Sequence, residues 1–302
     1  MNLLFDSPAD VAAWHNQRRE VVSASDTPKL LGLSPYGDAL SVYCEKVCPP
    51  PVPDEPTDEQ LAGLAFEEGI AKLWDRRVRM AFSPGGFFQD HVHPFLGATP
   101  DFLTTAYRRP LQIKKVSYRL AHLWGESGTD EVPESVAVQV QQEALVMRAD
   151  RAYVAAFIGE SELRTYEVPA SPAIQDVIVE TARHFWEAHV VPRRPPDPEW
   201  SNPLTVELLN RLHRPQPGIE VTLPESLAVD LALYQSFGDT VAEAKAEQQT
   251  AKARIIYAMG EAAVGRLGGW RVTRKVVARK GYTVEPTEYL DLRVYEPKAQ
   301  PV

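Results

Sequence analysis

The order of its segments predicts an α/β or α+β protein. Three observations predict it. Helical spacing runs as far as Trp74, and short apolar or alternating runs broken by Gly and Pro fill Gly85 to Val116. A helix, two strands and a further helix then follow one another up to Val190. The last hundred residues have a different composition and predict an accessory region made of a long helix and a basic strand.

Ser7-Pro8-Ala9-Asp10 opens the first helix, with Pro in its first turn. Ser25 is placed to cap a short helix over DTPKLL that Gly32 ends. The run PPPVPDEPTD, Pro49 to Asp58, predicts a loop. Thr57 then opens a longer helix, with Leu61, Leu64, Ala65, Leu73 and Trp74 as its apolar stripe. Glu67 and Glu68 are adjacent on it, so at most one faces inward.

GGFFQDHVHPFLGATPDFLTT and RRPLQIKKV predict a cluster of strands, and Pro133 starts a helix through Met147 that carries Gln139, Gln141 and Gln142. AYVAAFIG and LRTYEV predict two strands joined by a GESE turn, closed by a helix from about Ser171 to Val190. The chain therefore divides into a core over 1–191, a Pro-rich linker over 192–203 and an accessory region over 204–302. In the last, SLAVDLALYQSFGDTVAEAKAEQQTAKARIIYAMGEA predicts one long helix or two, and GGWRVTRKVVARKGY a basic strand.

At 302 residues and ordinary apolar content the chain can bury a real core. No apolar run approaches membrane-spanning length, and MNLLFDSPADVAAW lacks the basic start and apolar stretch of a secretory leader. Both predict a cytoplasmic protein with no membrane partner. Cys44 and Cys48 cannot complete a zinc site or an iron–sulfur site, so packing is their expected role. A net charge of −9 excludes a broad basic coat for nucleic acid. It leaves room for local basic grooves, and Arg266 to Tyr282 holds no acid at all.

The chemistry-bearing segment is ATPDFLTTAYRRPLQIKK. Asp101 stands at a strand start, and Gln112 and Lys114, two residues apart on the next strand, share a face. A carboxylate, an amide oxygen and the Ile113 carbonyl can ligate Mg²⁺, which takes only one or two protein carboxylates. A cation neutralises a phosphodiester and acidifies a water, and a lysine beside it orients that water or stabilises phosphate charge. The spacing alone is better described by a surface turn before an ordinary strand with a basic end.

Four segments add to it: RREVVSASDTPKLLGLSPY, GLAFE, ATPDF with LQIKK, and VAVQVQQEALVMRADRAYVAAFIG. In this order they resemble the YqaJ/lambda-exonuclease family of viral recombination nucleases, in the PD-(D/E)XK superfamily, over roughly Arg18 to Val190. The resemblance implies a restriction-endonuclease-like core, a central mixed sheet flanked by helices. It implies a 5′-to-3′ exonuclease on linear double-stranded DNA that leaves 3′ single strands for phage-type recombination. It further implies Mg²⁺ or Mn²⁺, a single-strand annealing protein as partner, a homo-oligomer such as a trimeric ring, and a phage or prophage origin in a bacterial cytoplasm.

Residue by residue, the resemblance makes Asp101 and Glu67 metal-site acids, Lys114 the catalytic lysine and Gln139 the glutamine that closes the site. Ser25 becomes a 5′-phosphate contact, with Arg19 or Arg18 beside it; as read from the sequence alone, Ser25 is equally a helix cap. Asp90, His91 and His93 lie where the family carries a further acid. Gln112 departs from the pattern, which has an acid there. A tolerated amide, a trapped inactive form, and a nuclease-fold protein that binds DNA ends without cutting are the three alternatives.

Overall fold

The computed structural model describes residues 2–5, 16–49, 58–276, 290 and 292–294. Contacts divide the chain into two units, Met1–Arg214 and Pro215–Val302. The expected Ser7–Asp10 helix start and most of the first proline run lie outside the described residues.

The first unit is built on two sheets. One has four strands in the order β1 (Asn2–Phe5), β4 (Phe87–Gln89), β5 (Leu96–Ala98) and β2 (Val22–Ser23). The other has five, in the order β3 (Phe82–Pro84), β6 (Phe102–Thr104), β7 (Pro110–Val116), β8 (Arg151–Ile158) and β9 (Glu162–Pro169). Only β7 and β8 run parallel in the five-stranded sheet, because the helix α4 (Glu134–Met147) crosses over between them. This is the mixed sheet flanked by helices that the sequence predicts.

Helices cover both faces of that sheet. On one, α3 (Asp58–Val78) sets Ile70, Ala71 and Trp74 against Leu111, Ile113, Tyr153 and Ala155. On the other, α4 sets Val136, Val140 and Ala144 against Val116, Val154 and Ala156. Odd-numbered residues of β7 therefore face α3, and Gln112, Lys114 and Val116 face α4, as a strand's period of two requires.

The stripe expected on α3 needs correction. Trp74 is buried, but Leu61 is 48% exposed and Leu73 is 45% exposed, and the buried neighbours are Ile70 and Ala71. Burial of described α3 side chains on the sheet begins at Ile70.

Gln142 ties the four-stranded sheet to α4. Its amide donates to the carbonyls of Val22 and Gly97 at 2.8 and 2.9 Å, and its oxygen accepts from Thr27. Gln141 instead donates to Pro169 and accepts from the Ser171 amide.

A third cluster joins β4 and β5 to α2 (Ala39–Val47), α5 (Pro172–Phe185) and α6 (Thr205–Leu212). The expected Ser171–Val190 helix is α5 followed by a π-helical turn over Trp186–Val190. Cys44 and Cys48 are free and buried in this cluster, and burial pushes the Cys44 thiol up to about 12. Packing is their role, as expected.

The division expected after residue 203 also moves. Leu208 on α6 is buried against α2, and the Asn202 side chain donates to Asp38 at 2.8 Å. The segment read as linker and the first turns of the accessory region belong to the core unit.

The second unit contains α7 (Ala228–Met259), one continuous helix, and a hairpin of β10 (Val264–Leu267) and β11 (Trp270–Thr273). Gly268 and Gly269 form its two-residue turn, and Gly268 has φ +54°, which a hairpin turn of this length requires. Most of the expected basic strand beyond residue 276 lies outside the described residues.

Candidate active site

The site forms where β6 and β7 part. Their ladder pairs Leu103 with Pro110 and Phe102 with Leu111, and there it stops. Asp101 is the next residue back along β6. It turns its carboxylate onto the freed edge, where Oδ2 accepts from the Ile113 amide at 2.7 Å and from Gln112 Nε2 at 2.7 Å. The Asp101 carbonyl accepts from the Gly85 amide at 2.9 Å. A β-carbon at Gly85 would stand 1.8 Å from the Pro100 carbonyl oxygen, so only glycine permits this approach.

Helices on the two faces bring the remaining groups. From α4, Gln139 accepts from Lys114 Nζ at 3.1 Å and donates to Glu143 Oε1 at 3.0 Å. From α3, Glu67 reaches the same edge, and with Ile113 and Lys114 it lines a cleft of about 470 Å³. Glu68 points away and pairs with Lys72 at 2.7 Å. Asp101, Gln112, Ile113, Lys114, Gln139 and Glu67 are thus all brought together.

The acids repel one another. Burial, and then the Asp101 charge, push the Glu67 carboxyl up to about 7 against the pull of Lys114. The same causes push Glu143 up to about 8, opposed by its Gln139 hydrogen bond and Lys114. Burial also raises Asp101, and Lys114, the Ile113 amide and Gln112 oppose it.

Glu143 is the residue that sequence reasoning missed. It is fully buried, directly after Gln141 and Gln142 and one turn beyond Gln139. That i, i+4 spacing to a site glutamine was the available signal.

Two buried oxygens here lack a hydrogen-bond partner, Gln112 Oε1 and Glu143 Oε2. Both are acceptors, and each costs free energy unless a donor or cation meets it. Among the described residues, no three His, Cys, Asp or Glu side chains form a metal cage by themselves. The donor set of carboxylate, amide oxygen and main-chain carbonyl still fits a hard cation of the Mg²⁺ type, which keeps several waters.

A second polar cluster stands on the β2 side. Arg18 donates to Ser25 Oγ at 3.0 Å and to Ser23 Oγ at 3.2 Å. Ser25 is exposed and does not cap the short helix α1 (Thr27–Leu30), whose N-cap is Asp26. Arg19 is not at this cluster; its guanidinium donates to the Cys48 carbonyl. Arg18 is the arginine beside Ser25.

Lys46, buried, pairs with Asp26 at 2.7 Å. Burial pushes the Asp26 carboxyl up, but Lys46, Arg18 and Lys29 outweigh it and hold it below the usual carboxylate range. Asp90 accepts from Arg148 at 2.7 Å and from the Val92 amide, a structural pairing, while His91 is exposed and His93 packs on Phe95.

Residues 13–150 match the YqaJ-like viral recombinase domain. The family resemblance read from the sequence is borne out. Among curated proteins, the chain is 21% identical over 267 residues to the uncharacterized protein YqaJ of Bacillus subtilis (strain 168), covering 87% of this chain and 83% of that protein. Among solved structures it is similar to an alkaline exonuclease from Laribacter hongkongensis, with a TM-score of 0.47 and 12% identity over 59% of this chain and 91% of the other. It is similar also to a phage-related exonuclease from Haemophilus somnus 129PT, with a TM-score of 0.43 and 14% identity over 58% of this chain and 97% of the other. No helix among the described residues is long and apolar enough to cross a membrane.

Proposed function

We propose that this protein is a Mg²⁺- or Mn²⁺-dependent exonuclease of linear double-stranded DNA. It degrades one strand from a 5′ end and leaves a 3′ single strand for an annealing partner in phage-type recombination, in the cytoplasm of a bacterial host. The observation that carries this reading is the convergence of Asp101, Gln112, Lys114 and Gln139 where β6 and β7 part.

Asp101, the Ile113 carbonyl and Gln112 Oε1 would hold the cation, with Glu67 across the cleft. A bound cation supplies neutralisation of the scissile phosphate and acidification of a water. Asp101 is held rigidly by two hydrogen bonds for that task. Lys114 carries the positive charge beside the reacting phosphate and orients the attacking water, and Gln139 fixes its Nζ.

Ser25 and Arg18 offer a hydroxyl and a guanidinium fork to a terminal 5′ phosphate. Arg266 and Arg271 are directly opposed across the β10–β11 ladder. Like charges so placed destabilise a hairpin, which suits a surface completed by a polyanion such as the DNA strand. A homo-oligomeric ring around DNA would reconcile net charge −9 with an internal basic lining.

The test is nucleotide release from 5′-phosphorylated linear duplex with Mg²⁺ or Mn²⁺, comparing Asp101→Ala and Lys114→Ala with the wild type. Release by the wild type alone is expected. Binding to ends with no release by any form would refute cleavage and favour the second reading, an end-binding protein in which Gln112 has abolished catalysis. Closed circular duplex should remain intact; its cleavage would indicate an endonuclease.

A further inference from the structure

The geometry points to Glu143 as a metal ligand, supplying from α4 the second carboxylate that strand position Gln112 lacks. This rests on the metal-dependent reading above and names a residue that reading does not include.

Glu143 is fully buried; one of its oxygens accepts from Gln139 and the other, Oε2, meets no donor. Gln139, which accepts from Lys114 Nζ at 3.1 Å, donates to Glu143 at 3.0 Å, so Glu143 lies at the same site edge. Burying a carboxylate oxygen without a donor is costly, and a divalent cation is a counterpart that removes the cost. Gln112 stands on the same face of β7 as Lys114, which reaches α4 through Gln139. Its amide nitrogen is used by Asp101, and its Oε1 is the other orphan. Both unpaired oxygens of the site thus belong to the two residues over which the second carboxylate would be exchanged.

The exchange also explains why position 112 is not an acid. A glutamate there would set a carboxylate against Asp101 Oδ2, where Gln112 now donates at 2.7 Å. Asp101, Glu67 and Glu143 already bring three carboxyl groups to Lys114, and an acid at position 112 would make a fourth. Gln112 keeps the oxygen and relieves the charge.

The purely structural alternative gives Glu143 one task, orienting Gln139 through Oε1. Metal affinity separates the two. Mn²⁺ binding to the full-length protein is measured by equilibrium titration with electron paramagnetic resonance, with no DNA present. Glu143→Gln retains shape and the Gln139 contact and places an amide where Oε2 stood; it should weaken Mn²⁺ binding about tenfold or more. Adding Gln112→Glu to that variant should return most of the lost affinity, because the carboxylate is then supplied from the strand.

Circular dichroism verifies folding. If the glutamine variant misfolds, Glu143→Asp keeps the charge but withdraws the oxygens by one methylene, and it should weaken binding in the same direction. Unaltered Mn²⁺ affinity in a folded Glu143 variant overturns the inference, as does a double variant that binds no better than Glu143→Gln alone. A wild type that binds no Mn²⁺ overturns this inference and the metal-dependent reading together; a wild type that binds Mn²⁺ with Glu143 variants of equal affinity overturns this inference alone.

Discussion

Glu143 also makes a prediction for the metal-free protein. Its carboxyl moves from an ordinary value of 4.5 to about 8 on folding, through burial and then the Asp101 charge. Between those values the folded chain holds a proton that the unfolded chain has released. Stability therefore falls as pH rises through that window; the effect is absent below 4.5 and complete above about 8. Taken at face value, the interval corresponds to roughly 5 kcal/mol, and relaxation and water entry reduce it to roughly 2–3 kcal/mol. For a unit of this size each kcal/mol moves the melting temperature by about 2–4 °C, so a loss on the order of 5–10 °C is expected between pH 5 and pH 8.5. Glu67 contributes in the same direction, up to about 7, and less strongly because it is half-buried. Glu143→Gln removes the larger of these titrations. Thermal melts in chelator should show the variant matching the wild type near pH 5 and exceeding it progressively up to pH 8.5. Parallel curves across that range would refute the burial argument, whatever the protein does with metal.

Three further outcomes are expected. Gly85→Ala forces a carbon against the Pro100 carbonyl; it should cost about 1–3 kcal/mol in chemical denaturation and lower cleavage by displacing Asp101. Arg18→Ala should reduce the preference for 5′-phosphorylated over 5′-hydroxyl ends in a competition assay, whereas Arg19→Ala should leave that preference unchanged because Arg19 is committed to Cys48. Replacing Arg266 and Arg271 together with alanine should lower the slope of log binding constant against log salt by roughly one to two, read by titration with duplex at several salt concentrations.

Much of this was legible because local chemistry and fold agree. The helix from Pro133, the strand pair around the GESE turn, and the shared face of Gln112 and Lys114 each follow from a period or a breaker, and each is in the structure. The stripe of α3 was not legible, because spacing gives a helix's period but not the length over which a neighbour covers it. Leu61 stays exposed, while Ile70 and Ala71 are buried against the sheet. The boundary after residue 203 failed for a related reason. Prolines break helices wherever they lie, but whether a broken segment is a linker depends on what its side chains bury, and Leu208 buries against α2. Ser25 and Arg19 show the same limit at single residues: a hydroxyl before a helix and an arginine near it each had several partners within reach, and only the folded chain selects among them.

Gln112 and Glu143 carry that lesson into the site. Taken one at a time, Gln112 reads as a missing ligand and Glu143 as one more polar residue after the helix glutamines. They are 31 positions apart, and no local pattern connects them. The structure connects them through Asp101 and through the Lys114–Gln139 bridge, which bring both to one edge of β7. There each leaves one oxygen unpaired. Two unpaired acceptors beside a raised aspartate are expensive for a protein that uses the site only as scaffold, since an apolar pair of similar volume would fold at lower cost. A chain whose site serves a cation would keep them. With Asp101, Glu67 and Glu143 present, the site gathers three carboxyl groups around one lysine without an acid at position 112. On the metal-dependent proposal the amide is then half of an exchange rather than the remnant of a lost activity.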